Sequence, residues 1–184
     1  PVAVMAIVAP RHRRYPLIWG SVFFILLVFI GLRHHVGMDW NNYLRMIEKA
    51  NGVDFLYALS IAEPGYALIL WISGQANLAA ATIMLYGLFR YAKQTPSPWL
   101  ALLAALPFLV IVTGMSAVRQ AMAIGVLLWL VAIWSNSSTF KRTMMIFLAA
   151  SFHMSAIIFL IFVAFNANIR PSLKASFGIF MSAV

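Results

Sequence analysis

Four carboxylates, one arginine and one histidine stand out in this chain because of what surrounds them. Asp39, Glu48, Asp54 and Glu63 are its only acidic residues, and all four fall within residues 33–66, RHHVGMDWNNYLRMIEKANGVDFLYALSIAEPGY, between long apolar runs that hold none. Arg119 and His153 stand inside such runs. A carboxylate or imidazole within hydrogen-bond reach of a hydroxyl can take its proton as the oxygen attacks an electrophile. A fixed guanidinium presents a planar fork of donors that matches phosphate oxygens and steadies charge developing on a leaving group. A charge inside a membrane segment costs about 3 kcal/mol at the bilayer centre on insertion scales, which makes Arg119 a functional position unless it snorkels to the nearby interface.

Each of these residues also has a purely structural reading. Asp39 precedes Tyr43, Ile47 and Ala50, which have helical spacing, so it is either the N-cap of a short interfacial helix or a base. Trp40 and Tyr43 are belt aromatics at a membrane surface. In Glu63-Pro64-Gly65-Tyr66, proline opens a helix and the acid ahead of it meets the positive end of the helix dipole. The same position, at the membrane face, suits a base. His153 is a packing residue or a proton carrier and substrate ligand, and His34 and His35 are interfacial. Gly114-Met115-Ser116-Ala117 together with His153 has the outline of a serine–histidine pair, but Ala117 stands where a second glycine is needed. There is no HExxH, no Cys/His cluster and no phosphate-cradling glycine loop, so neither a metal nor a cofactor is expected.

The elements that must position these groups are membrane spans. The chain is 64% hydrophobic and 9% charged, far from the soluble balance of about half apolar and about a quarter charged. About 20 apolar residues cross a bilayer core, and five stretches qualify: residues 15–32, 64–89 (polar at its middle, Ser73 to Asn77), 96–112 (with Pro107 as a kink), 115–134 and 144–165. The expected fold is an all-α, polytopic transmembrane helix bundle, a single domain over residues 1–184. Residues 33–66 form a loop outside the membrane with a short interfacial helix. The chain opens and closes on short apolar runs, which read as truncated helices of a longer protein.

The net charge of +9 is spread over the ends of apolar runs, not gathered in a patch interleaved with aromatics, so nucleic acid is not an expected partner. Placing Arg11, Arg13, Arg14, Arg90, Lys93, Lys141 and Arg142 in the cytoplasm leaves Arg33, Arg45, Lys49, Arg119, Arg170 and Lys174 outside, seven bases against six. The positive-inside rule then puts the acidic window outside. With no cysteine, thiol chemistry and a disulfide framework are excluded.

These motifs together resemble the EpsG-type family of bacterial polysaccharide polymerases, relatives of the Wzy polymerases. The likeness rests on Arg33 closing a span, then Val36-Gly37-Met38-Asp39-Trp40 with Tyr43; Glu63-Pro64-Gly65-Tyr66 opening the next; Arg119-Gln120 starting a later helix; and Phe152-His153-Met154-Ser155-Ala156 in the one after. The resemblance implies a GT-C-like helical membrane glycosyltransferase in the bacterial inner membrane. It would join oligosaccharide repeat units carried on undecaprenyl diphosphate, at the extracytoplasmic face, for exopolysaccharide, capsule or O-antigen. Asp39, Glu63 and His153 would be the catalytic candidates. Arg119, Gln120, Trp40, Tyr43 and Arg33 would bind substrate, and membrane lipid and other polysaccharide assembly proteins would be partners. The alternative is a transporter or flippase that binds the same lipid-linked sugar without reacting it.

Overall fold

The computed structural model describes residues 1–9, 11, 16–73 and 76–166, and the described residues form ten helices and no strand. The first two are α1 (Val2–Val8) and α2 (Pro16–Gly31), the latter opened by a proline whose fixed φ suits a first turn. The acidic window forms α3 (Trp40–Ala50) and α4 (Phe55–Ala58). Helix α3 buries Tyr43 and Ala50 on its apolar stripe, as their spacing predicts. One of the four acids is explained here: Asp54 caps α4, its Oδ2 accepting from the Leu56 N–H at 3.2 Å.

The expected second span is two helices, α5 (Pro64–Ser73) and α6 (Asn77–Ala92). Helix α5 does not cross the bundle. Its start packs on Ser151 and Phe152, while Trp71 near its other end donates to the Val53 carbonyl at 3.3 Å and packs on Phe55. Ten residues make about 15 Å of helix, and α5 lies along one end of the molecule beside α3 and α4. Its break falls where the sequence turns polar. Ser73 bonds back to the Ile69 carbonyl, and Gly74 and Gln75 lie outside the described residues.

Two continuous helices follow, α7 (Pro98–Ser116) and α8 (Val118–Asn136), both long and apolar enough to cross a membrane. Pro107 has no N–H and cannot close the regular ladder, and the helix widens into π-type turns over Leu106–Thr113. The turn expected at Thr113 and Gly114 lies later. The helix runs through both and breaks at Ala117 (φ −112°, ψ 72°), so Arg119 falls in the first turn of α8.

The last expected span, residues 144–165, is also two helices. Helix α9 (Thr139–Phe152), capped by Ser138, ends at His153, whose backbone is extended (φ −155°, ψ 116°). There the chain reverses into α10 (Met154–Phe165), which packs back along α9 and brings Phe159, Phe162 and Phe165 to Val131 and Trp134. His153 thus sits at the tip of a helical hairpin and not at the middle of a span.

At the centre, α6 and α8 run side by side and touch through glycines. A side chain on Gly87 would collide with the Gly125 backbone, and one on Gly125 would lie 2.6 Å from the Ile83 carbonyl oxygen and the Met84 Cα. Small residues let helix backbones approach where no hydrophobic effect drives them together. Helix α2 packs antiparallel to α6, with Trp19 stacked on Trp99 and edge-on to Phe89, and α9 packs on α8.

One end of the bundle therefore gathers Arg33, Asn77, Gly114, Arg119, His153 and the acidic window. The other gathers Arg90, Lys93, Lys141 and Arg142. Lys93 lies over the Trp19 ring, and Arg142 donates to the Trp134 carbonyl at 2.8 Å. The chain leaves α10 at this second end, and the charge count set Arg170 and Lys174, which follow, on the side of the acidic window. Both lie outside the described residues, as do Arg13 and Arg14.

Candidate active site

Three segments far apart in sequence meet at the first end. The Arg119 Nη1 donates to Glu63 Oε2 at 2.5 Å, and His153 Nδ1 stands 3.4 Å from the other carboxylate oxygen, Oε1. All three side chains keep some exposure, 18% for Glu63, 27% for Arg119 and 33% for His153, so a ligand can reach them. Helix starts and stops supply the geometry. Glu63 immediately precedes α5, Arg119 follows the break at Ala117, and His153 occupies the reversal after α9.

Gly65 explains how Glu63 comes so close to His153. A Cβ there would collide with the Ser151 hydroxyl and lie 2.9 Å from the Ser151 carbonyl oxygen and 3.1 Å from the Phe152 ring. Gly37 does the same for the acidic window. It adopts φ +109°, which side-chain-bearing residues rarely take, and a Cβ would run into the Met115 carbonyl. The loop before α3 is thereby laid against the end of α7, one turn before Arg119.

The field at the site favours an ionised Glu63. Burial pushes its carboxyl up, but a backbone N–H, the Arg119 guanidinium and His153 pull harder, and its pKa lies below the ordinary carboxylate value. A depressed carboxylate stabilises the fold above its unfolded pKa, about 4.3. That contribution is lost as pH falls through the lower folded value. The melting-temperature difference between wild type and Glu63→Gln in detergent should therefore hold steady above about pH 5 and shrink in more acid solution. A difference independent of pH down to strong acid would show that Glu63 titrates normally.

Of the other expected site residues, Tyr43 joins this cluster. It is buried, acts electrostatically on Arg119, and its ring centroid lies 5.9 Å from that of Tyr66. Asp39 occupies the N-cap position of α3 but its side chain makes no capping bond, and it is exposed. Capping therefore does not explain its carboxylate. Gln120 is exposed, and Trp40 packs with His34 and His35. Arg33 is buried and bonds to other groups than Arg119 does, donating through Nη1 to the Gly114 carbonyl and through Nη2 to Asn77 Oδ1 at 3.2 Å. Sequence reasoning missed Tyr66, 1% exposed and within the electrostatic reach of both arginines, and Asn77, which it set within a span. The tyrosine of Glu63-Pro64-Gly65-Tyr66 was the available signal.

Among the described residues no cluster of His, Cys, Asp and Glu could hold a metal ion. A wide cavity of ≈ 490 Å³ at the far end of the bundle has apolar and aromatic walls (Val131, Trp134, Phe159, Phe162 and Phe165) and offers no reacting group. The titratable and charged groups instead converge at the Glu63 end. Residues 17–184 match the sequence profile of the EpsG family. No curated protein and no solved structure matches the chain.

Proposed function

The chain belongs to the EpsG family, and we propose that it is a polysaccharide polymerase of the bacterial inner membrane, acting on undecaprenyl-diphosphate-linked repeat units at the extracytoplasmic face. Family membership supports a role in polysaccharide biosynthesis, and two helices long enough to cross a membrane support a membrane protein. The observation that carries the reaction is the convergence of Glu63, Arg119 and His153 at one end of an apolar bundle.

In this reading an acceptor sugar hydroxyl attacks the anomeric carbon of the donor. A new C–O bond forms, the bond to the diphosphate oxygen breaks, and the hydroxyl proton passes to Glu63 with His153 beside it as relay. Arg119 stabilises the departing diphosphate, which needs no general acid. A diphosphate that draws Arg119 away from Glu63 also makes the carboxylate more basic, so the base is strengthened when donor is bound. Asp39, exposed at the rim, is the second carboxylate candidate. Tyr43, Trp40, Gln120 and Arg33 complete the substrate surface, and other polysaccharide assembly proteins are the expected partners. The transporter reading drew its support from a polar middle in the second span. Ser73 is instead the last residue of α5 and Asn77 the first of α6.

Purified protein given lipid-linked repeat units tests the reading directly, since longer lipid-linked glycans appear only if glycosidic bonds form. Movement of the substrate between leaflets without chain growth would make it a transporter. Sidedness has its own test, helped by the absence of cysteine from the chain. An impermeant maleimide should label Asn51→Cys in cells whose outer barrier is opened, and Asn136→Cys only after the inner membrane is lysed. Labelling of both before lysis would place the two ends of the bundle on one side.

A further inference from the structure

Arg119 brings its own anion, Glu63, but Arg33 does not. Arg33 is 9% exposed, and its partners are neutral: the Gly114 carbonyl and the Asn77 amide oxygen. Its Nε is buried with no acceptor. A guanidinium held away from water by uncharged groups alone keeps much of its desolvation cost uncompensated. The same residue lines a cavity of ≈ 370 Å³ between the end of α2, helix α3 and the start of α6. Trp40 lines it too, and its indole N–H is a second buried donor without an acceptor. His34 and Asn77 add polar walls, while Leu44 and Ile47 make one side apolar. None of the four carboxylates of the chain lines this space.

We propose that this cavity is a second anion site, distinct from the Glu63–Arg119 cluster, which takes the phosphate oxygens of an isoprenoid diphosphate through Arg33 and Trp40. Cation and orphan donors select an oxyanion, and the apolar side beside Leu44 and Ile47 accommodates the first carbons of the chain. The choice of an isoprenoid carrier rests on the polymerase reading, whereas recognition of phosphate does not. A reaction that joins two lipid-linked glycans has two diphosphates to hold, and the second cation site provides for that.

Titration calorimetry in detergent micelles, with inorganic pyrophosphate and with farnesyl diphosphate as probes, tests the site. In the polymerase reading Arg119 also grips a diphosphate, so the site is read in the Arg119→Ala background, where saturable binding is expected to persist and Arg33→Gln added to it should weaken binding about tenfold or more, the scale of a lost charge-assisted contact. Trp40→Phe in the same background keeps an aromatic ring, removes the indole donor and should weaken binding about fivefold. It decides the matter if Arg33→Gln fails to fold. Response to pyrophosphate alone marks phosphate as the recognised part, and tighter binding of farnesyl diphosphate adds the apolar wall. Failure of both probes to bind Arg119→Ala, or an unchanged affinity when Trp40→Phe is added to that variant, would overturn the assignment. Intact binding without glycan growth would count against the polymerase reading and leave this site standing. Growth with no phosphate response would do the reverse.

Discussion

Glu63→Gln is expected to lower glycan polymerisation by about 10²–10⁴-fold, the range of a lost general base, while the protein still folds and binds lipid-linked substrate. The amide keeps the shape of the carboxylate and can still accept from Arg119 Nη1, which stands 2.5 Å from Glu63 Oε2. It cannot take a proton at neutral pH. Arg119→Lys should fail almost as fully as Arg119→Ala, because an ammonium can pair with Glu63 but lacks the fork that grips a diphosphate. Asp39→Asn is the comparison that assigns the base. Asn is as good an N-cap as Asp, and the Asp39 side chain makes no capping bond, so α3 should be unaffected. Normal polymerisation by Glu63→Gln with an inactive Asp39→Asn would move the base to Asp39. Normal rates in both would exclude these two carboxylates as its source.

Gly125→Val is expected to prevent stable folding. The added Cβ alone would lie 2.6 Å from the Ile83 carbonyl oxygen and from the Met84 Cα, and these backbone atoms cannot swing aside as a side-chain tip can. Helices α6 and α8 would have to separate along the most extensive helix contact among the described residues. Overpacking a fitted core costs about 1–3 kcal/mol, and more where backbone must move, against a total stability of about 5–15 kcal/mol. Loss of the monodisperse peak in detergent chromatography, or a melting point lowered by well over 5 °C, is the expected reading. Gly20→Val is the control, since a Cβ at Gly20 meets nothing within 4 Å. Equal behaviour of the two variants would mean that α6 and α8 do not touch at these glycines.

By itself the sequence determined the class of molecule, through bulk properties that do not depend on where the chain turns. A 64% hydrophobic chain with its acids confined to one window has to be helical and apolar, with its polar chemistry collected outside the spans. It also singled out Glu63, Arg119 and His153, because charge and imidazole within or beside apolar runs are costly and therefore informative. Tertiary structure alone decided how they meet. Hydropathy averaged over about 20 residues cannot separate one helix of that length from two shorter ones joined by a turn. That is why residues 64–89 and 144–165 read as single spans, although the first breaks before Asn77 and the second reverses at His153. The approach of Glu63 to His153 depends on the missing side chain of Gly65 against Ser151, a fit between helices remote in sequence. The contrast between Arg119 with its carboxylate and Arg33 without one is of the same kind, since which arginine gains a counter-ion depends on the packing that sets the ends of α2, α7 and α8 side by side.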